Sequence, residues 1–365
     1  MRDKHIHIAE DSRLLKLIQQ SVNAGLPVDN SWFRTMLWIK FFFYFPAAVF
    51  AYYLLYRIES PVWFCICFVA YGLIALLFAF NFSHDFSHNT VFKRKQFNHA
   101  GFVFIYTIVG AHAEAWKKRH VYSHHYAPNV EEYDSDLQIT HLIRVTPGST
   151  HCWYHRYQHI YAPLLYTTYS LFWVFIKDFV ILFGSDIYEE KKGFRYHLSF
   201  WIQKTVYISL LIVLPMICSQ QPWYIVLTGF LCMHLVQSLF LLFTFFMTHH
   251  VESTTYPETD DKGYINTSWL MNQVKSSNDM HPFSHTANFI LGGFNNHIAH
   301  HLFPHVHHVY YPRLNMILYR ILEAHGITPN QTSYWGGIVS HLRVLKKMGK
   351  EDNPGSEESA LKKAG

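Results

Sequence analysis

Three histidine clusters stand out in the chain: His84-Asp-Phe-Ser-His88, His120-Val-Tyr-Ser-His124-His125 and His297-Ile-Ala-His300-His301. On a helix, residues three or four apart share a face. His84 with His88, His120 with His124, and His297 with His300 or His301 can therefore each grip one ion. Each doubled histidine offers a second direction, which suits a second metal nearby. A further pair, His249-His250, follows a long apolar run. One such pair is most often an ordinary surface or core feature. Three clusters in a chain with 27 histidines point to a metal site, because imidazole is the commonest metal ligand. Eight or more donors imply at least two ions. Imidazole suits Zn, Cu, Fe and Ni, so ligand type alone does not name the metal. A site reached by apolar substrates suggests redox attack on C–H bonds, for which iron with O2 is the usual agent.

The elements that must position these histidines are apolar. Half of the chain is hydrophobic and 15% is charged, against roughly 25% charged in a soluble domain. Residues 37–56, 62–82, 199–218 and 223–248 are long enough to cross a bilayer, which takes roughly 20 residues. Lys40 and Lys204 lie near span ends, where a lysine can snorkel to the headgroups. The short links at 57–61 and 219–222 make two helical hairpins, so the N-terminus, residues 84–198 and everything after 248 share one face. All three clusters and His249 then meet at that face. Lys93, Arg94, Lys95, Lys117, Lys118, Arg119, Lys191, Lys192 and Arg195 lie there too, which makes it cytoplasmic by the positive-inside rule. The expected fold is an all-α integral membrane protein: four transmembrane helices in two hairpins, with a cytoplasmic helical cap carrying the histidines. Runs at 101–109 and 162–183 are expected to lie in the interface, the second because it carries Lys177 and Asp178. The expected organisation is a cytoplasmic segment at 1–34, a membrane domain at 35–312, a cap helix region at 313–345 and a disordered tail at 346–365.

Other classes fit poorly. A net charge of +5 suits anionic lipid and is no basic stripe for nucleic acid. The five cysteines have no C-x-x-C spacing, so neither a zinc ribbon nor a disulfide framework is expected. The polar N-terminus lacks the apolar core of a signal peptide. A metal transporter would carry ionisable residues along a mid-membrane path. Here only His234 sits deep, about 22 Å along the helix from His249, where it serves as polar lining or a helix contact. His151, His155 and His159 lie beside Trp153 and Tyr154 and read as an interfacial aromatic face. His281, His285, His305 and His307 receive no role.

At these residues the sequence resembles the membrane fatty acid desaturase superfamily, nearest to its acyl-lipid and acyl-CoA front-end branch, which includes linoleoyl-CoA-type enzymes. The resemblance rests on His84-Asp85 through His88; on Gly110, Trp116, Lys117, His120, His124, His125, Asn129, Asp134 and Asp136; and on Gly292-Gly293-Phe-Asn295-Asn-His297-Ile-Ala-His300-His301-Leu-Phe-Pro304 with His308 and Pro312. It runs from Leu37 to about Pro312. His297 stands where front-end enzymes usually have Gln.

The resemblance implies two Fe ions with O2 as co-substrate and a fatty acyl substrate carried as acyl-CoA or acyl-lipid. The implied ligands are His84, His88, His120, His124, His125, His249, His297, His300 and His301, with His249 preferred to His250. Ligand imidazoles need their second nitrogen oriented, and Asp85, Asn129, Asp134, Asp136, Glu252 and Asn295 are candidates. Asn272 is a candidate through water, by analogy with animal acyl-CoA desaturases. Lys117, Lys118 and Arg119 are candidates for carrier phosphates or lipid headgroups. The sequence contains no His-Pro-Gly-Gly haem motif, so electrons are expected from a separate donor such as ferredoxin or cytochrome b5. Hydroxylation or ketolation of an acyl chain or carotenoid would use the same clusters, and the clusters do not separate these outcomes.

Overall fold

Inside a bilayer a backbone must satisfy its own hydrogen bonds, and the long apolar runs of this chain are helical throughout. The computed structural model describes residues 4–27, 31–137, 140–184 and 192–350. After helix α1 (Ala9–Gly25) come α2 (Ser31–Leu54) and α3 (Pro61–Ser87). Then follow α4 (Lys95–Val109) and α5 (Ala113–Lys117), which runs on as a π-helical turn over Lys118–His124. The bent pair α6 (Trp153–Tyr166) and α7 (Tyr169–Phe183) precedes α8 (Phe194–Cys218) and α9 (Trp223–His249). The rest is short: α10 (Trp269–Lys275), β1 (Asp279–Met280), α11 (His285–Leu291), α12 (His297–Leu302), α13 (Tyr311–Ala324), β2 (Gln331–Thr332) and α14 (Tyr334–Met348). The two strands pair in parallel.

Helices α2, α3, α8 and α9 are long and apolar enough to cross a membrane. Pro61 opens α3 in its first turn, where its missing N–H leaves nothing unsatisfied. Gly72 and Gly229 let α3 and α9 pack closely: a Cβ at Gly72 would strike Met233, and one at Gly229 would meet Phe68. Trp38, Phe42, Trp63 and Trp223 face outward, as lipid-facing or interfacial aromatics do. A second core holds α1 to the region of the third histidine cluster. Leu14, Ile18 and Val22 pack with Leu270, Val274, Ile298, Leu314 and Leu318. Gly292 ends α11 in the left-handed conformation (φ +59°), with the backbone of Phe80 so near that no Cβ fits. That contact ties the loop before α12 to α3.

Two expectations need correction, the outward-reaching lysines and the start of the tail. Lys40 and Lys204 do not snorkel outward; both are buried. The Lys204 ammonium donates to Asp178 (2.7 Å), Gly110 O (2.7 Å) and Val174 O (2.7 Å), so Asp178 serves an internal pair. The run at 162–183 is two helices meeting at 72°. The Ser170 N–H, orphaned at the start of α7, donates to Ser238 Oγ of α9 (2.9 Å). In the expected tail, Lys346–Met348 are the end of α14; residues 351–365 lie outside those described.

Lys204→Met leaves the Asp178 carboxylate buried without its charge partner. Breaking such a pair costs about 3–5 kcal/mol. The variant should unfold at a temperature several degrees lower in detergent, as read by thermal melting. The double variant Lys204→Met/Asp178→Asn, which removes the stranded charge and keeps one oxygen to accept from His112 N or Trp173 Nε1, should recover part of the loss.

Candidate metal centre

The histidines from four distant stretches converge into two sets. His84, His88, His120 and His300 form one, and His124, His249, His297 and His301 the other; in each set one nitrogen per ring lies within 4.8 Å of the rest. The closest Nε2–Nε2 separations are 3.1 Å for His84–His300, 3.3 Å for His84–His120 and 3.0 Å for His124–His249. Metal–imidazole bonds of roughly 2.1 Å put neighbouring ligand nitrogens about 3.0–3.4 Å apart. His125 lies between the sets, with Nε2 3.2 Å from His120 Nε2 and its ring stacked on His301. His249 faces the cluster, whereas His250 turns Nδ1 to Tyr256 Oη (3.0 Å).

Backbone geometry decides which histidines go together. The second cluster lies on a π-helical turn, whose bonds run i to i+5, and His125 N donates to His120 O (3.0 Å). Residues five apart therefore lie one above the other along the helix. His120 and His125 approach each other, while His120 and His124 diverge to different sets. The α-helical spacing read from the sequence had paired His120 with His124. In the third cluster His297 joins His301, and His300 joins the opposite set. A second π-turn, Ala79–Ser83, re-aims the end of α3 just before His84; such bulges are frequent at functional sites.

The second nitrogens are held. His124 Nδ1 donates to Asp134 Oδ2 (2.9 Å), His249 Nδ1 to Ser276 O (2.8 Å) and His301 Nδ1 to Gln273 Oε1 (2.8 Å). With a carbonyl or carboxylate as acceptor, the proton sits on Nδ1 and the Nε2 lone pair faces the convergence. His300 Nδ1 lies 3.3 Å from Tyr311 Oη, and Trp116 stacks on His120 with centroids 4.3 Å apart. Asp85 binds His308, whose Nδ1 donates to the carboxylate and whose Nε2 accepts from the Lys40 ammonium (2.6 Å). Lys40 thus claims a third ligand-like group, Asp85 with His307 and His308.

The other expected residues scatter. Asn129 accepts no ligand nitrogen; its Nδ2 donates to His249 O (2.9 Å) and its backbone N–H to Asp134 Oδ2 (3.0 Å). Asp136 pairs with the buried Arg119 (3.2 Å); burial opposes ionisation of Asp136, but Arg119, His124 and Lys177 together outweigh it and lower the carboxyl pKa. Asn272 is tied to Pro128 O, Ser276 Oγ and His5. Asn295 is fully buried two residues before His297, with both amide atoms unpartnered. Glu252 is exposed and faces Ser340 and Arg343. Lys117 and Lys118 are half-buried.

Sequence reasoning missed Asp279. This buried carboxylate accepts from Ile298 N (2.9 Å), Tyr319 Oη (3.0 Å) and Asn315 Nδ2 (3.2 Å), anchoring the start of α12. Burial pushes its pKa up to about 7, against the pull of those donors. Gln273 was missed as well. Neither lies at a spacing that marks it in the sequence.

A cavity opens against both sets, with His120, His124, His249 and His297 on one wall and Tyr169, Trp173, Leu242 and Phe245 on the other. A second, more apolar cavity shares Trp116, Trp173 and Phe245 with it and has His84 at its rim. Burial pushes His88, His120, His125, His297, His300 and His301 below the usual imidazole range. At His124 burial acts the same way, but the Asp134 carboxylate outweighs it and the net direction is upward. Neutral imidazoles have no proton to displace, as a metal ligand requires. Both nitrogens of His297, and Nε2 of His88 and of His301, are buried without a hydrogen-bond partner. Converging lone pairs that no donor meets fit a cation, and the donor set fits a metal centre.

Alanine at Asp134 frees the His124 ring to turn, and loss of such an outer partner typically costs 10–100-fold in metal affinity. Competition with a chelator, followed by mass spectrometry of bound metal, should show that loss for Asp134→Ala. Glu252→Gln, which alters only the exposed contacts with Ser340 and Arg343, should retain wild-type affinity.

Comparison with known proteins agrees with this geometry. The family model described as fatty acid desaturase matches residues 59–333, a stretch that contains all nine of these histidines. An acyl-lipid (8-3)-desaturase of Physcomitrium patens is 30% identical over 306 residues, covering 82% of this chain and 63% of that protein. The sn-1 linoleoyl-lipid 6-desaturase of Arthrospira platensis is 26% identical, covering 77% of this chain and 76% of that protein. Delta(5) fatty acid desaturase A of Dictyostelium discoideum is 31% identical, covering 83% and 68%. The chain therefore spans less than two thirds of the length of the first of these relatives. From the family match across its histidine sets and three of its four candidate spans, the chain belongs to the fatty acid desaturase family.

Proposed function

We propose that this protein is an O2-dependent fatty acyl desaturase with two irons held by histidine. The observation that carries the reading is the pair of converging imidazole sets set directly into the wall of an apolar cavity. The relatives named as acyl-lipid desaturases support an acyl substrate, presented as an acyl-lipid or acyl-CoA. Helices α2 with α3 and α8 with α9 form two hairpins, which leave the histidines on the cytoplasmic face within a helical cap. Electrons come from a separate donor of the ferredoxin or cytochrome b5 type.

The irons, when bound, supply O2 activation and removal of two hydrogens from neighbouring methylenes. His84, His88, His120 and His300 would hold one, and His124, His249, His297 and His301 the other, with His125 between them. Asp134, Ser276 O and Gln273 fix the tautomers that aim nitrogen lone pairs inward. The chain's own task is position, because an error near 1 Å can cost about 100-fold in rate. Trp116, Trp173 and Phe245 supply flat apolar walls beside the metal ligands, which exclude water and confine a hydrocarbon. Arg119 and Asp136, on the same cavity, neutralise each other.

Gas chromatography–mass spectrometry of total fatty acids tests the reading, in a host with and without this gene and supplied with mixed acyl precursors. The expected product is an acid lighter by two hydrogens, and derivatising its double bond gives the position. An acid that has gained oxygen would replace desaturation with hydroxylation. An unchanged profile in a host that supplies both donor types would overturn the acyl reading.

A further inference from the structure

The cavity at the metal ligands also holds basic side chains for which a hydrocarbon has no use. Arg119 lines it with His120 and His124, together with Tyr169 and Trp173. The residue is only 7% exposed. Its Nη1 reaches Asp136 at 3.2 Å, and its guanidinium carbon stands 5.9 Å from the centre of the Trp173 ring. Its Nε is buried without a hydrogen-bond partner. A charged donor left unmet in a buried wall is costly. The wall is thus fitted for an acceptor that the chain itself does not supply.

Lys177, on the same helix as Tyr169 and Trp173, is a second such donor. It is buried, and its Nζ lies over the Tyr169 ring, 5.9 Å from the centroid. Among the described residues it makes no hydrogen bond or ion pair. The carboxylates that act on it are those of Asp136, Asp178 and Asp134, and each is already engaged. Arg119 holds Asp136, Lys204 holds Asp178 at 2.7 Å, and His124 holds Asp134 at 2.9 Å. Donors therefore exceed acceptors at this edge of the cavity. The missing acceptor has to arrive with the acyl chain. A carbonyl oxygen at the carboxyl end is the acceptor that an ester, a thioester and a free acid all carry.

We propose that Arg119 and Lys177 bind the carboxyl-end carbonyl of the acyl substrate, so that the double bond is placed by its distance from this pair. The proposal rests on the desaturase reading of the metal centre. The second cavity leads past His84 as an apolar channel between α3 and α9, and the hydrocarbon runs that way. Arg119 and four of the metal ligands line one cavity, so the held oxygen and the reacting carbons lie close together. A slip of one carbon is on the order of 1 Å, the misplacement that can cost about 100-fold in rate. A hydrogen-bonded anchor resists that slip, whereas flat apolar walls alone let a chain slide along its own axis.

Purified full-length protein in detergent tests the site without turnover. A fluorescent acyl ester is displaced by a long-chain methyl ester, or by the matching methyl ether, which lacks only the carbonyl oxygen. Wild type should prefer the ester by about tenfold or more, as a hydrogen bond to a charged donor predicts. Lys177→Met should lose most of that preference. So should Arg119→Gln/Asp136→Asn, which removes both charges of the pair together. Lys177→Arg should keep it. In a host fed acids of graded length, wild type should form its double bond at one fixed count from the carboxyl end, and the first two variants should spread it over neighbouring positions. A lower yield with ester preference and bond position unchanged would mark both residues as structural and overturn the anchor. So would a wild type that binds ester and ether alike. If the double variant fails to accumulate, Lys177→Met decides alone. A wild type that prefers the ester but forms no double bond would strike the desaturase reading and leave the carbonyl site standing.

Discussion

Everything in this molecule answers to one electrostatic constraint: buried imidazole lone pairs must face one another at about 3 Å. Without a cation such an arrangement is repulsive, because each nitrogen has lost water and gained no donor. It persists only if the surroundings fix every ring. The carbonyl of Ser276, the carboxylate of Asp134 and the amide of Gln273 do so from behind. The π-turn over Lys118–His124 does so through the backbone, with His120 in one set and His124 in the other. The packing of α1 against α10, α12 and α13 holds the third cluster in register with the first two.

The membrane imposes a second constraint, which the fold meets in the same manner. At two helix breaks among the described residues, a side chain meets the freed backbone group. Ser238 meets Ser170 N at the bend of α6 and α7, and Asp178 meets His112 N after α4. Lys204 serves both needs, neutralising Asp178 while donating to two carbonyls. The lysines expected to reach for headgroups instead face inward, Lys204 onto Asp178 and two carbonyls and Lys40 onto Asn81 Oδ1 and His308 Nε2. Irregular backbone is tolerated here only where it is covered by protein.

Much of this was legible in the sequence, and the reasons for success and failure are physical. Apolar length marks a span whatever its neighbours do, so α2, α3, α8 and α9 were readable to within a few residues. The histidines were readable because imidazoles at short intervals have little other use in such number. Their division between two sets was not, because it depends on π-helical turns that carry no compositional mark. Asp279 and Gln273 were invisible for a related reason: each acts across the fold on a residue far away in the chain, and nothing near it in sequence is periodic. Glu252 shows the converse. It sits three residues after His249, a spacing that suggests partnership, yet the chain leaves α9 at His249 and carries Glu252 to the surface.

The two histidine sets are chemically unequal. His124 donates to a buried carboxylate, and His249 and His301 donate to amide oxygens, so three of the four rings in that set are held by strong acceptors that raise the basicity of the opposite nitrogen. The other set is held by softer means: the Tyr311 hydroxyl at 3.3 Å from His300 and the face of Trp116 on His120. Its nearest carboxylate, Asp85, is engaged by His308 and, through it, by Lys40. A cation is therefore better stabilised beside Asp134 than beside Trp116. The apolar channel runs from the second of these positions, past His84, whereas Arg119, Asp134 and Asp136 line the cavity at the first. The fold thus puts hydrocarbon against the more weakly braced histidines and keeps its fixed charges beside the more strongly braced ones. That is the arrangement in which a buried charge pair costs the apolar channel least.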